Sequence, residues 1–141
     1  MSGFTKTSTN RLIKILKQKK LNTMTKIAIV VFSDTETVEA LGKVSNAFML
    51  ASEAVDHGDD LKFIFEGAGT KWIGELEKED NKFHGLYKNL KGHITGACSF
   101  CAQAFGVKSQ VEKSGIRLIS EYKDHPSLRK LFAEGYQVVT F

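Results

Sequence analysis

Cys98 and Cys101, the only cysteines of the 141-residue chain, stand three apart in the stretch GACSFCAQAFGV, residues 96–107. A thiol does chemistry as its thiolate, which serves as nucleophile, leaving group or soft metal ligand. The C-x-x-C spacing suits three uses. One sulfur can attack a disulfide or persulfide carried by the other, the pair can form half of a zinc site, or two inert thiols can pack in a core. A structural staple is excluded, because a bridge closing a four-residue loop removes little entropy from the unfolded chain. Zinc would need further ligands. There is no second C-x-x-C, so His84, His93 or His125 could complete a site only through tertiary proximity. A thioredoxin-type pair would expect a proline facing it from before a later strand, whereas the single proline, Pro126, reads as a helix opener.

For either sulfur to react, the fold must bring it to an edge where backbone amides and water can reach it. In an open parallel sheet that edge lies beyond the carboxyl ends of the strands. The sequence HITGA, residues 93–97, reads as a short third strand running into the cysteines, and a helix starting near Ser99 would turn free N–H groups toward the Cys98 sulfur. Such a position favours a thiolate, with Cys101 one turn further in as a resolving or assisting thiol.

The rest of the chain supplies the elements for such a sheet. KIAIVVF, residues 26–32, is a continuous apolar run suited to a strand covered on both faces. Ser33 and Glu36 have capping-box spacing, and Val38, Leu41, Ser45, Phe48, Ser52 and Val55 recur at helical spacing up to a stop at His57-Gly58. LKFIFEGAG, residues 61–69, predicts a second strand and a glycine turn, with Thr70 capping a helix that breaks near Asp80-Asn81 and stops at Gly92. After the cysteines come a short helix ending at Gly106, a polar connection, a fourth strand in GIRLIS (115–120), a helix opened by Pro126 and Ser127, and a last strand in YQVVTF (136–141). Strands separated by helices, with connections too long for hairpins, predict right-handed crossovers in a three-layer α/β/α sandwich around a mainly parallel sheet of about five strands. Phe48, Phe63, Phe65, Trp72 and Phe83 read as core. EGAGTKW, residues 66–72, lacks the Walker pattern and the third glycine of a dinucleotide fingerprint, and reads as a tight strand-to-helix turn rather than a phosphate loop. His93 is an ordinary polar residue at a strand start, or else a base facing the cysteines.

The formal net charge of +4 is unevenly distributed. Six of the 20 basic side chains, and no acid, fall in residues 1–25; the remainder holds 14 bases against 16 acids, a net of −2. The body lacks the gathered basic face that nucleic-acid binding needs. NRLIKILKQKK, residues 10–20, is a basic amphipathic pattern compatible with an anionic membrane or a targeting segment. Met24 opens the first strand, however, and residues 1–24 are expected to be a basic extension, an over-long translation start or a disordered or loosely helical lead, ahead of a single domain over 25–141. No apolar run is long enough to span a bilayer, and no secretory h-region is present, so a cytoplasmic protein with no membrane span is expected.

GACSFCAQAFGV on a third strand resembles the DsrE/DsrF-like family of sulfur-relay proteins. In that family a cysteine after a comparable strand is followed eight residues later by glycine and an aliphatic residue, as Cys98 is by Gly106 and Val107. A subset carries the second cysteine, matched by Cys101. KIAIVVFSD, VSNAFMLASEAVDHG and LKFIFEGAG are also similar, so the likeness covers roughly residues 26–141. The resemblance implies a carrier that accepts sulfane sulfur as a persulfide on Cys98 and hands it to a partner thiol. It implies donor and acceptor proteins, assembly as a homotrimer or hexamer or with related subunits, and no cofactor. A C-x-x-C thiol-disulfide redox protein, and a non-catalytic oligomeric module binding a small ligand or partner, are the competing expectations.

Overall fold

The apolar run Lys26–Val31 forms β1, and its four last residues are fully buried. It lies inside a five-stranded sheet of order β4-β3-β2-β1-β5, in which every pairing is parallel. The partners are β2 (Asp60–Phe65), β3 (Gly96–Cys98), β4 (Leu118–Ile119) and β5 (Gln137–Thr140). Helices cover both faces, giving the three-layer α/β/α sandwich that the periodicities predict. The computed structural model describes residues 5–141.

The connections are α1 (Lys6–Thr23) ahead of β1, α2 (Val38–His57) between β1 and β2, and α3 (Trp72–Leu76) and α4 (His84–Leu90) between β2 and β3. Then follow α5 (Ser99–Ala104) and α6 (Lys108–Ser114) before β4, and α7 (Leu128–Ala133) before β5. The main core lies between the sheet and α2. Here the structure corrects the sequence-derived stripe: Val38 is exposed, and the face turned to the sheet is Ala40, Val44, Ala47, Phe48, Ala51 and Ala54. Small side chains let the helix sit close to the strands, and Phe48 reaches down to stack on Phe63 with ring centroids 5.6 Å apart. Phe63 and Phe65 are buried with Trp72, while Phe83 packs partly buried against the same cluster. The opposite face carries a smaller cluster of Ala28, Ile64, Ile119, Leu131 and Tyr136 under α7.

Four local expectations change. The cap of α2 is Thr37, whose hydroxyl accepts the Ala40 N–H at 3.0 Å, and not Ser33, because the helix begins only after Thr37, whose own backbone is extended. Thr70 does not cap a helix. It is buried in a 3-10 turn over Gly67–Lys71, with its hydroxyl donating back to the Gly67 carbonyl. The polar connection after Gly106 is largely the helix α6, held to the core by Val111. The expected third strand also shifts forward, since His93 lies in a 3-10 turn and β3 begins at Gly96.

Met1–Phe4, the start of the basic lead, lie outside the described residues. From Lys6 the lead is a continuous 18-residue helix whose residues are exposed through Lys20, with Leu12, Ile13, Ile15 and Leu16 each about half exposed. Among the described residues no helix is long and apolar enough to cross a membrane.

Candidate functional site

The parallel register puts the site together. Phe65 pairs with Ala97 and Cys98 with Ile119, so Glu66, the residue after Phe65, emerges beside Cys98 at the carboxyl edge of the sheet. Two glycines permit this crowding. A Cβ on Gly69 would stand 2.0 Å from the Val31 carbonyl oxygen, so only glycine lets the turn after Glu66 fold onto the end of β1. A Cβ on Gly96 would stand 2.5 Å from the Arg117 carbonyl oxygen, where β3 meets β4.

Cys98 ends β3 and caps α5, its sulfur accepting the Cys101 N–H at 3.2 Å. The hydrogen bond expected from the helix start is present. The ionisation expected from it is not, because Cys98 has no exposed surface. Burial, reinforced by the neighbouring Cys101 and the Glu66 charge, outweighs the backbone N–H and pushes the thiol well above the ordinary cysteine range. Cys101 is also buried, and both cysteines are free thiols.

The third element is the turn Tyr122–His125, which closes over the thiols. Lys123 and Asp124 both have left-handed backbone, φ 47° and 64°, a conformation costing a non-glycine residue on the order of 1 kcal/mol. The turn is held by a Tyr122–His125 bridge, by the Phe100 N–H donating to the Asp124 carbonyl at 2.9 Å, and by the Ser120 hydroxyl donating to the Asp124 carboxylate at 2.8 Å. The His125 ring packs against Phe100 at 4.7 Å. Its Nδ1 comes within 3.3 Å of Cys98 Sγ, 3.8 Å of Cys101 Sγ and 3.2 Å of Glu66 Oε1. Cys101 Sγ donates to Glu66 Oε1 at 3.7 Å. The second carboxylate oxygen, Glu66 Oε2, is buried with no hydrogen-bond partner. Outside this cluster a cavity of about 510 Å³ is lined by Phe32, Glu66, Tyr122, His125 and Pro126 among others.

Of the histidines weighed from sequence, only His125 joins the cysteines. His93 lies exposed before β3, at the opposite end from Cys98, and so cannot be a base for it. His84 is tied by Nδ1 to the Leu76 carbonyl. Glu66 has no counterpart among the sequence-derived candidates, because it reads as part of a turn. Its one signal is position, an acid directly following a parallel strand, where the carboxyl edge of the sheet must lie.

No model of a known protein family matches the chain. It is similar to an uncharacterized protein of Methanocaldococcus jannaschii, 26% identical over 115 residues that make up 81% of this chain and 93% of that protein. A conserved protein of unknown function from Bacteroides thetaiotaomicron has a similar structure, with a TM-score of 0.56 at 19% identity over 81% of this chain and 94% of the other. That likeness extends to the fold.

Proposed function

We propose that the protein is a sulfur-relay carrier of the DsrE/DsrF-like kind, holding sulfane sulfur as a persulfide on Cys98. The observation that carries this is the pair of contacts on one sulfur: the Cys101 N–H at 3.2 Å and His125 Nδ1 at 3.3 Å. In the Nε2–H tautomer, Nδ1 can take the Cys98 proton, and the resulting Nδ1–H faces the Glu66 carboxylate at 3.2 Å. The thiolate left behind keeps the Cys101 N–H. It attacks the outer sulfur of a donor persulfide, the donor S–S bond breaks, and its electron pair departs on the donor thiolate, which recovers the proton from His125. An acceptor thiolate then removes the outer sulfur by the same displacement, with Cys98 as leaving group. No net oxidation occurs in either step.

Because Cys98 is sealed in the closed state, its proton passes to His125 before the Tyr122–His125 turn lifts to admit the donor, and the turn recloses once the sulfur has been transferred. Cys101 is positioned to attack the inner sulfur of the persulfide, releasing hydrogen sulfide and leaving a Cys98–Cys101 disulfide, so it limits the lifetime of the loaded state. Self-assembly belongs to the same proposal. Phe100 on α5, Phe105 at its C-terminal cap, Tyr122 on the turn and Phe132 on α7 are all about half exposed or more, offering aromatic surface for a second copy.

The test is incubation of the reduced protein with a sulfane-sulfur donor in the presence of a metal chelator, followed by intact mass and peptide mapping. A gain of one sulfur atom on Cys98 is expected, absent in Cys98→Ser and longer-lived in Cys101→Ser. Loading on Cys101 alone, or none on either residue, defeats the proposal. Equal loss of a dithiol turnover in both variants would instead identify a redox protein.

A further inference from the structure

The four polar side chains at the carboxyl edge of the sheet do not behave like a finished hydrogen-bond network. Glu66 is more than nine-tenths buried, one of its oxygens has no partner, and the other shares a single histidine nitrogen with two sulfurs. A buried carboxylate left half unsatisfied is costly, and side chains so arranged are a common signature of a cation between them. One donor atom from each of Glu66, Cys98, Cys101 and His125 lies within 4.8 Å of the other three.

We propose that these four residues form a binding site for Zn²⁺. Zinc takes thiolate sulfur, imidazole nitrogen and carboxylate oxygen in tetrahedral array. With its usual bond lengths, the edges of that tetrahedron are about 3.6 Å from sulfur to nitrogen or oxygen and about 3.4 Å from nitrogen to oxygen. The corresponding separations are 3.3 and 3.8 Å from His125 Nδ1 to the two sulfurs, 3.7 Å from Cys101 Sγ to Glu66 Oε1, and 3.2 Å from His125 Nδ1 to Glu66 Oε1. Four of the six edges therefore stand within a few tenths of an ångström of those an ion requires. All four positions are filled by protein side chains on a strand end, a helix start and a braced turn, the mark of a closed site. The N–H of Cys101 on Cys98 Sγ is the kind of outer contact that spreads thiolate charge in such sites. The adjoining cavity, lined by Glu66 and His125, supplies the way in.

Binding forms two Zn–S, one Zn–N and one Zn–O bond; the two thiols release their protons to solvent, His125 coordinates through Nδ1 as the neutral ring, and no electron is transferred. The missing half of the C-x-x-C site thus comes from His125 and from Glu66, 59 residues away from it in sequence. The site stands on these distances alone and does not rest on sulfur transfer. A zinc-bound Cys98 has its sulfur engaged, so the metal-loaded and sulfur-loaded forms exclude one another.

The experiment is metal titration of the full, reduced, metal-stripped chain that has met no sulfur donor. One Zn²⁺ per chain is expected by elemental analysis after gel filtration. Co²⁺ in its place should give the intense visible bands of tetrahedral coordination together with thiolate-to-cobalt charge transfer. Glu66→Gln and His125→Gln should each weaken Zn²⁺ binding by about tenfold or more in chelator competition, and Cys98→Ser and Cys101→Ser should each remove part of the charge-transfer band. Sub-stoichiometric metal in the folded wild-type chain, a cobalt spectrum without thiolate charge transfer, or affinity unchanged in both Glu66→Gln and His125→Gln overturns the proposal. The wild-type cobalt spectrum decides the matter even where a variant fails to fold. Persulfide loading, measured separately under chelator, succeeds or fails independently.

Discussion

The layer beneath α2 and the carboxyl edge of β3 are both buried, yet they are built on opposite terms. Beneath α2, the buried side chains Ile29, Val31, Ala40, Val44, Ala47, Phe48 and Ala51 are all apolar and pack against one another, so burial alone stabilises the arrangement. At the edge of β3 the buried groups are two thiols and a carboxylate, covered by a turn with two left-handed non-glycine residues. The first region has no use for anything beyond stability. The second spends stability on bringing reactive and ligating atoms together, which is how functional sites depart from a well-packed core.

This contrast can be broken from either side. The largest effect expected is that of Cys98→Ser, which abolishes persulfide loading altogether while leaving the cooperative unfolding transition in urea nearly where it was; a chain that unfolds on this change would make Cys98 a core residue. Phe48→Ala is the converse. It removes a fully buried ring stacked on Phe63 and should lower the unfolding free energy by about 3–5 kcal/mol, with loading of the folded fraction unchanged. Gly69→Ala falls between, because its added methyl group meets the Val31 carbonyl in the turn that holds Glu66. A cost of about 1–3 kcal/mol in urea unfolding is expected, together with weaker Zn²⁺ binding; a loss of stability alone would uncouple the turn from the site.

Two smaller changes sharpen the picture of the α4 side of the core. Tyr87 is fully buried and its hydroxyl donates to Glu77 Oε1 at 2.6 Å, so Tyr87→Phe should cost about 1 kcal/mol and leave the thiol chemistry alone. Burial tends to raise the Glu77 carboxyl, but the hydrogen bonds from Lys91 and Tyr87 outweigh it and hold the group below its ordinary 4.5. A carboxylate lowered in the folded state adds stability above its unfolded value and loses it as the pH falls through the folded one. The difference in unfolding free energy between the wild type and Glu77→Gln should therefore shrink on acidification below 4.5, by an amount that solvent screening keeps small. A difference independent of pH would show that the carboxylate charge contributes nothing.

How much of this was legible in the chain follows the same division. The run Lys26–Val31, the length of α2 up to Gly58, and the break between α3 and α4 are written in local periodicity and stop signals. Where the sequence misled, a local signal had a stronger tertiary competitor. The alanines of α2 read as helix propensity but serve as the contact face, since a helix lying close to a sheet selects small side chains there. His93 is near the cysteines along the chain but at the wrong end of a three-residue strand, while His125, 27 residues away, lies against Cys98.

By itself the sequence determined a parallel α/β sheet and a strand that delivers two thiols to its carboxyl edge, because strand runs, helix starts and the C-x-x-C spacing depend on neighbours a few residues apart. Only the tertiary structure decided that Glu66 and His125 meet those thiols and that Cys98 is sealed from water. Strand register and the closure of a turn are agreements between distant segments, and burial, which sets the ionisation of a thiol, is a property of everything packed around it.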